Sequence, residues 1–112
     1  MNCTESRDGR TLILQIDGRL DSNAAGDFEK KLRESVGAGD HRVVIDCSAL
    51  VYVSSAGLRT FLCAAKLLRA QSGKLVLASP TPQVREILDL AGFSSILTVC
   101  DTREKALETV SA

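Results

Sequence analysis

Short apolar runs alternate with amphipathic segments along this chain, and that alternation restricts its fold more than any other feature. The strand-like runs are Thr11–Asp17, Arg42–Asp46, Lys74–Ala78 and Ile96–Val99. After each of them comes a segment with apolar residues at every third or fourth position, which is the spacing of one helix face. Strands that alternate with helices through short loops form right-handed crossovers and a largely parallel sheet.

The N-terminal residues extend this pattern by one strand. Residues 1–7 precede Asp8-Gly9, a dipeptide favoured in tight hairpin turns, so they are predicted to pair antiparallel to Thr11–Asp17. The predicted order is β-β-α-β-α-β-α-β-α. It corresponds to an α/β fold with a central, mostly parallel sheet, an antiparallel hairpin at one edge and about four helices.

Capping residues and helix breakers predict where the helices begin and end. The chain has 112 residues, enough for one domain over 1–112 with an ordinary hydrophobic core. The predicted helices run from Asp21-Ser22 to Gly37, from Ser54-Ser55 to just before Ser72-Gly73, from Pro82 to Gly92, and onward from Thr102.

Charge and hydropathy exclude two classes of partner. Lys+Arg and Asp+Glu number 14 each, and no long basic run is present. The chain therefore lacks the excess positive charge by which proteins bind nucleic acid or an anionic membrane. The apolar runs are far shorter than the ~20 residues of a membrane-spanning helix, and the N-terminus lacks a signal-like apolar region. We therefore expect a soluble, cytoplasmic protein.

The cysteine pattern argues against disulfides and zinc. Cys3, Cys47, Cys63 and Cys100 lie in or beside apolar runs, and no pair has CxxC spacing. They are predicted to be buried or half-buried thiols in a reducing compartment. His41, the single histidine, lies in a turn-like stretch and is predicted to be exposed. Neither a metal nor a cofactor is expected.

The segment after Asp46 is the one in which the sequence places function. In open parallel sheets, functional loops follow the carboxyl ends of strands, and residues 47–57 form the predicted loop here. Ser54 and Ser55 start the next helix, where a hydroxyl can accept a hydrogen bond from an unpaired backbone N–H. A phosphate is also well tolerated at that position, so capping and phosphorylation both remain open.

Enzymatic function has little support. No G-x-S-x-G elbow, Walker A loop or G-x-G-x-x-G fingerprint follows any predicted strand, and His41 precedes the serines. Asp21 and Asp46 have the chemistry of an acid and base pair, but carboxylates at loop starts are more often caps or solvated groups. We expect no catalytic residue.

Six stretches of the chain resemble one family. They are similar to the STAS domain, specifically to the stand-alone bacterial anti-sigma factor antagonists, also called anti-anti-sigma factors, and the resemblance covers essentially the whole chain. The matching stretches are Gly18–Asp21, Val43–Ser48, Tyr52–Arg59, Gly73–Leu77, Pro82–Leu88 and Leu90–Phe93.

The resemblance implies a phosphorylation site. In that family the serine two residues before the loop glycine is phosphorylated, and Gly57 as the anchor makes it Ser55. The family commonly has Asp, Ser, Ser or Thr, and Gly at these positions, whereas this chain has Ser54, Ser55, Ala56 and Gly57. Ser54 replaces the acid, which leaves it as an alternative acceptor.

The resemblance also places an acid near the phosphoserine. In this chain that acid is Asp21, and Asp46 is a second candidate because it ends the predicted strand before the loop. Carboxylates beside a phosphate of about −1.5 to −2 charges would raise its energetic cost. The alternative for both residues is hydrogen bonding to loop backbone N–H groups.

The predicted partner surface surrounds the helix start. Gly57 would allow close backbone approach, Leu58 is predicted to lie between core and rim, and Arg59 is expected to be exposed together with Thr60.

The implied function is partner switching in transcription regulation and signal transduction. The unphosphorylated form would bind an anti-sigma factor, which is a serine kinase with a histidine-kinase-like ATP fold, and would release what that kinase sequesters. Phosphorylation would break the complex, and a metal-dependent serine phosphatase would restore it. The alternative is a constitutive STAS scaffold or small-ligand-binding module, in which both serines only cap the helix.

Overall fold

The chain folds into five strands and four α-helices in the predicted order. The computed structural model describes residues 1–112. In chain order the elements are β1 (Asn2–Asp8), β2 (Thr11–Leu20), α1 (Ser22–Gly37), β3 (Arg42–Val53), α2 (Ser55–Ala70), β4 (Lys74–Ala78), α3 (Pro82–Leu90), a 3-10 turn (Phe93–Ser95), β5 (Thr98–Cys100) and α4 (Arg103–Ser111).

The five strands form one sheet in the order β1-β2-β3-β4-β5. The β1 and β2 strands pair antiparallel through the turn at Gly9, whose φ of +59° is a conformation that glycine adopts without strain. The other neighbouring pairs are parallel. The predicted fold class is therefore confirmed, and β3 lies at the centre of the sheet.

Helices cover both faces of the sheet, which is why the inner strands are almost continuously apolar. One face packs against α1, α2 and α3 in the larger core cluster, where Phe28 and Phe61 meet edge to face at 6.3 Å. The opposite face packs against α4 in a smaller cluster. Neighbouring residues of β3 show the alternation, because Val43 and Ile45 belong to the larger cluster and Val44 to the smaller one.

The prediction of a loop over residues 47–57 is wrong for most of these residues. The β3 strand does not end at Asp46 but continues to Val53, because β2 also extends, to Leu20, and pairs with it. Two register irregularities interrupt this pairing. At the first of them the Asp46 carboxylate accepts a hydrogen bond from the Ser48 N–H at 2.9 Å. Such irregularities break the apolar alternation by which a strand is recognised in a sequence.

The last strand lies slightly later than predicted. It spans Thr98–Cys100 rather than Ile96–Val99, because the chain first forms the 3-10 turn and the Leu97 N–H donates to the Phe93 carbonyl at 2.8 Å. Gly92, with a φ of +76°, follows α3 as a helix breaker, in agreement with the sequence.

All four cysteines are free thiols. Cys47 and Cys100 are buried, and Cys3 and Cys63 are half-buried, which confirms the prediction from their apolar surroundings. Burial, reinforced by the charge of Asp46, raises the pKa of the Cys47 thiol to about 12. At neutral pH Cys47 is therefore almost entirely in the thiol form, which is the unreactive one.

We expect Cys47 to resist alkylation in the native protein. With iodoacetamide at pH 8, mass mapping should find Cys63 modified well before Cys47, because the Cys63 thiol is partly accessible and the Cys47 thiol is not. In urea all four cysteines should react at similar rates, which is the control. Equal native rates at Cys47 and Cys63 would show that the β3 strand opens readily.

Candidate functional site

Two helices begin side by side at the carboxyl edge of the sheet. The last residues of β2 and β3, Leu20 and Val53, are register partners, so the residues that follow them are neighbours as well. The Ser54 N–H donates to the Leu20 carbonyl at 2.9 Å and ties the start of α2 to the end of β2. Asp21 and Ser54 thus stand at adjacent helix starts.

Asp21 is the N-cap of α1. Its side chain is half-buried and accepts a hydrogen bond from the Ala24 N–H at 2.9 Å. This is the backbone hydrogen bonding that the sequence left open as an alternative role. The cap also holds the carboxylate at the start of the helix that neighbours α2, so the two proposed roles of Asp21 are compatible.

The two serines at the start of α2 have different environments. Ser54 is only 9% exposed, and its Oγ accepts a hydrogen bond from the Gly57 N–H at 3.1 Å, so it caps the helix. Asp and Ser are both strong N-caps, so Ser54 can cap the helix at the position where the resemblance implies an acid. Ser55, the first residue of α2, is exposed.

The next residues differ from the predicted partner surface. Gly57 is buried, and a Cβ at that position would lie 2.8 Å from Val53 Cγ2 and 2.9 Å from Leu20 Cγ. The absence of a side chain at Gly57 thus permits close packing of α2 against the ends of β2 and β3. Leu58 is 6% exposed and belongs to the core rather than the rim.

Farther along α2, Arg59 and Thr60 were both expected to be exposed. The prediction is confirmed for Arg59 and wrong for Thr60. Thr60 is 4% exposed, and its hydroxyl donates to the Ala56 carbonyl at 3.1 Å. Arg59 is exposed and lies one turn after Ser55.

Comparison with known proteins identifies the family. The protein-family model described as "STAS domain" matches residues 4–106 of this chain. The chain belongs to the STAS-domain family. This confirms the resemblance carried by the motifs around the serines.

None of the α-helices of this chain combines the length and apolar composition that a membrane span requires.

Individual relatives cover nearly the whole STAS domain. This chain is 42% identical over 106 residues to "Putative anti-sigma factor antagonist BtrV" of Bordetella bronchiseptica, with 95% of this chain and 91% of the relative covered. An anti-sigma factor antagonist from Mycobacterium paratuberculosis has a similar fold, with a TM-score of 0.90, 20% identity and coverage of 99% and 94%. The Bacillus protein SpoIIAA aligns in its phosphorylated form with a TM-score of 0.75, 21% identity and coverage of 97% and 99%.

A cation and an aromatic ring meet on the STAS domain just before the serines. Arg19 and Tyr52 are register partners near the ends of β2 and β3, and the guanidinium carbon lies 4.3 Å from the ring centroid. Val51 beside them is 52% exposed. Sequence analysis did not find this contact, because no local pattern links two residues on different strands.

Asp46 is not brought to the serines. It lies in the interior of β3, well before the strand ends at Val53, and on the face that α4 covers. Its Oδ2 accepts a hydrogen bond from Arg103 Nε at 2.9 Å, and the same guanidinium donates to Gln15 Oε1 at 3.3 Å. The position inferred for Asp46 from the predicted strand end was therefore wrong, and its contacts fasten α4 to the sheet.

The electrostatics of Asp46 follow from these contacts. Burial by itself would raise the pKa of the carboxyl, but the hydrogen bonds from Ser48 and Arg103 and the Arg103 charge outweigh it and lower the pKa. A carboxyl whose pKa is lower in the folded state stabilises the fold above its unfolded pKa and loses that contribution as the pH falls through the folded value. The pair therefore stabilises the protein at neutral pH and less in acid.

Arg103→Gln should destabilise the STAS domain in a pH-dependent way. We expect a loss of about 1–2 kcal/mol at pH 7, reduced from the value for a fully buried pair because the Arg103 side chain is 39% exposed. Urea unfolding should show the difference from wild type shrinking as the pH falls below the ordinary Asp value of 3.8. The control is Arg33→Gln, which breaks an exposed pair with Glu29 and should cost less than about 0.5 kcal/mol. A loss of equal size at pH 7 and pH 3 would mean that packing, not charge, holds Arg103.

A separate cleft of about 360 Å³ opens between α1 and α2. Its apolar lining includes Leu32, Val36 and Leu67, and Lys66 lies among its charged residues. Thr60, one turn beyond the helix start, contributes to the lining, so the cleft lies along the flank of α2 rather than at the serines. This cleft is the feature that suits the alternative of a small-ligand-binding module.

Proposed function

We propose that this STAS domain is an anti-sigma factor antagonist whose partner binding is switched by phosphorylation of Ser55. The observation that carries the proposal is the contrast between the serines: Ser54 is buried and occupied as a cap, whereas Ser55 is exposed at the first position of α2. The name of the Bordetella relative supports the antagonist role, and the phosphorylated form of SpoIIAA supports a phosphoswitch on this fold.

The proposed partner is a serine kinase that also acts as an anti-sigma factor and has a histidine-kinase-like ATP fold. The unphosphorylated domain binds this kinase in the cytoplasm and frees the sigma factor or other target that the kinase holds. In the complex the Ser55 Oγ bonds to the γ-phosphorus of ATP while the bond from that phosphorus to the β–γ bridging oxygen breaks. ADP leaves with the bridging oxygen, and the hydroxyl proton passes to a base on the kinase. The domain itself supplies only the acceptor and the docking surface.

The phosphate weakens the complex through its charge. Phosphoserine carries about −1.5 to −2 charges, and like charges facing each other across an interface cost several kcal/mol. Since each ~1.4 kcal/mol changes affinity tenfold, one phosphate can weaken binding by about a hundredfold or more. The fold tolerates the phosphate, because the N-terminal end of a helix favours negative charge. The Asp21 carboxylate at the neighbouring helix start repels the phosphate and raises the free energy of the phosphorylated state. A metal-dependent serine phosphatase then restores the binding form.

Intact mass measurement of the protein purified from its native cells tests the proposal. We expect a fraction heavier by one phosphate, with fragmentation assigning it to Ser55, and that fraction should grow in cells without the cognate phosphatase. A phosphate on Ser54 would contradict the assignment. A chain that stays unmodified without the phosphatase would favour the constitutive scaffold or a ligand-binding role for the cleft between α1 and α2.

A further inference from the structure

Arg59 is a cation without a partner beside the proposed phosphorylation site. Its side chain is exposed and takes part in none of the salt bridges of the structure. The other nearby cation, Arg19, lies over the Tyr52 ring and already has a contact. Lys66 and Arg69 of α2 also form no salt bridge, but they lie farther along the helix, so Arg59 is the uncommitted positive charge nearest to Ser55 on α2.

Helix geometry directs Arg59 toward Ser55. The α2 helix is continuous from Ser55 to Ala70, so the two residues have the i, i+4 spacing that places side chains on one face. In an α-helix the Cα–Cβ bond tilts toward the N-terminus, which points the Arg59 side chain back toward the first turn. Gly57 and Leu58 face the core, so the surface shared by Ser55 and Arg59 is open to solvent.

We propose that Arg59 binds the phosphate once Ser55 is phosphorylated and so serves as an internal phosphate clamp. This inference rests on the proposed modification of Ser55. The planar guanidinium can donate two parallel hydrogen bonds to phosphate oxygens, and a dianionic phosphate attracts it more strongly than a single carboxylate does. Phosphorylation then acts twice on the partner surface, because it adds negative charge at Ser55 and withdraws the positive charge of Arg59.

The charged groups around the site have opposite effects. Asp21 is at the adjacent helix start, and its carboxylate raises the second pKa of a phosphoserine there. Arg59 lowers that pKa because it stabilises the dianion. A titration of the phosphate therefore reports directly on the clamp, and a purely structural role of Arg59 would not change it.

The test uses phosphoserine incorporated genetically at position 55 of the full chain, so no kinase is needed. Phosphorus NMR titrations would compare the parent with Arg59→Ala, Arg59→Lys and Arg69→Ala, and Arg69 is the matched control in the last turn of the same helix. We expect the second pKa of the phosphate to rise by about 0.4 pH unit in Arg59→Ala, to rise less in Arg59→Lys, and to stay unchanged in Arg69→Ala.

Identical titrations of the parent and Arg59→Ala would overturn the clamp. An equal rise in Arg59→Ala and Arg69→Ala would also overturn it, because a general effect of net charge would explain both. Neither result bears on whether the kinase chooses Ser55, since the phosphate is installed without it. Conversely, mass mapping that excludes Ser55 would refute the proposed function whatever the titrations show.

Discussion

Ser55→Ala is expected to abolish phosphate incorporation by the cognate kinase while leaving the fold almost unchanged. Ser55 is exposed, and Ser54 caps α2, because its Oγ accepts a hydrogen bond from the Gly57 N–H. Removing an exposed hydroxyl outside the cap should therefore change the free energy of unfolding by less than about 0.5 kcal/mol. Incorporation of labelled phosphate from ATP and urea unfolding would measure the two effects separately.

The matched control is Ser54→Ala. This change deletes the cap and should cost about 1 kcal/mol of stability, yet phosphate incorporation should persist because Ser55 is still present. If Ser54→Ala blocks incorporation and Ser55→Ala does not, the acceptor has been assigned one residue too late. Ser55→Asp should retain the fold and weaken binding to the kinase, since it places a permanent negative charge at the interface.

Gly57→Val is expected to destabilise the domain and to disturb the start of α2. The nearest atoms to an added Cβ, Val53 Cγ2 at 2.8 Å and Leu20 Cγ at 2.9 Å, belong to buried side chains. They have little room to move, so overpacking should cost about 2–3 kcal/mol in urea unfolding. Val53 directly precedes Ser54, and the Ser54 N–H donates to the Leu20 carbonyl. Because displacing Val53 and Leu20 should therefore shift both serines, binding and phosphorylation by the kinase should fall together.

Two control substitutions separate this packing effect from others. Gly26→Ala lies in α1 with no atom within 4 Å of the added Cβ, so it should stabilise the domain by about 0.5–1 kcal/mol through helix propensity. Lys31→Glu removes the exposed ion pair between Lys31 of α1 and Glu5 of β1, and it should affect kinase binding far less than Gly57→Val. Wild-type stability in Gly57→Val would show that the helix start yields easily, and a larger binding loss in Lys31→Glu would place the interface on α1.

Local interactions made much of this protein predictable from its sequence. A helix start is decided by a cap and the residues three positions later, and Asp21, Ser54 and Thr102 each cap in this way close to where the sequence indicated. The crossover pattern follows from the element order, since right-handed connections leave few arrangements. The serine motif is likewise local, so its resemblance to one family could be seen without coordinates.

Only the tertiary structure decided which surfaces those elements present. Asp46 accepts a hydrogen bond from Arg103, which lies 57 residues later in the sequence, and no spacing within the chain indicates that pairing. The continuation of β3 depends on an equally extended β2, and the burial of Gly57 depends on side chains of both strands. Thr60 is buried although its helix position suggested exposure. The sequence by itself determined the helix starts, the order of elements and the family motif, because these depend on residues close in the chain. The tertiary structure determined which serine is exposed and which neighbours surround it, because packing joins residues from separate elements.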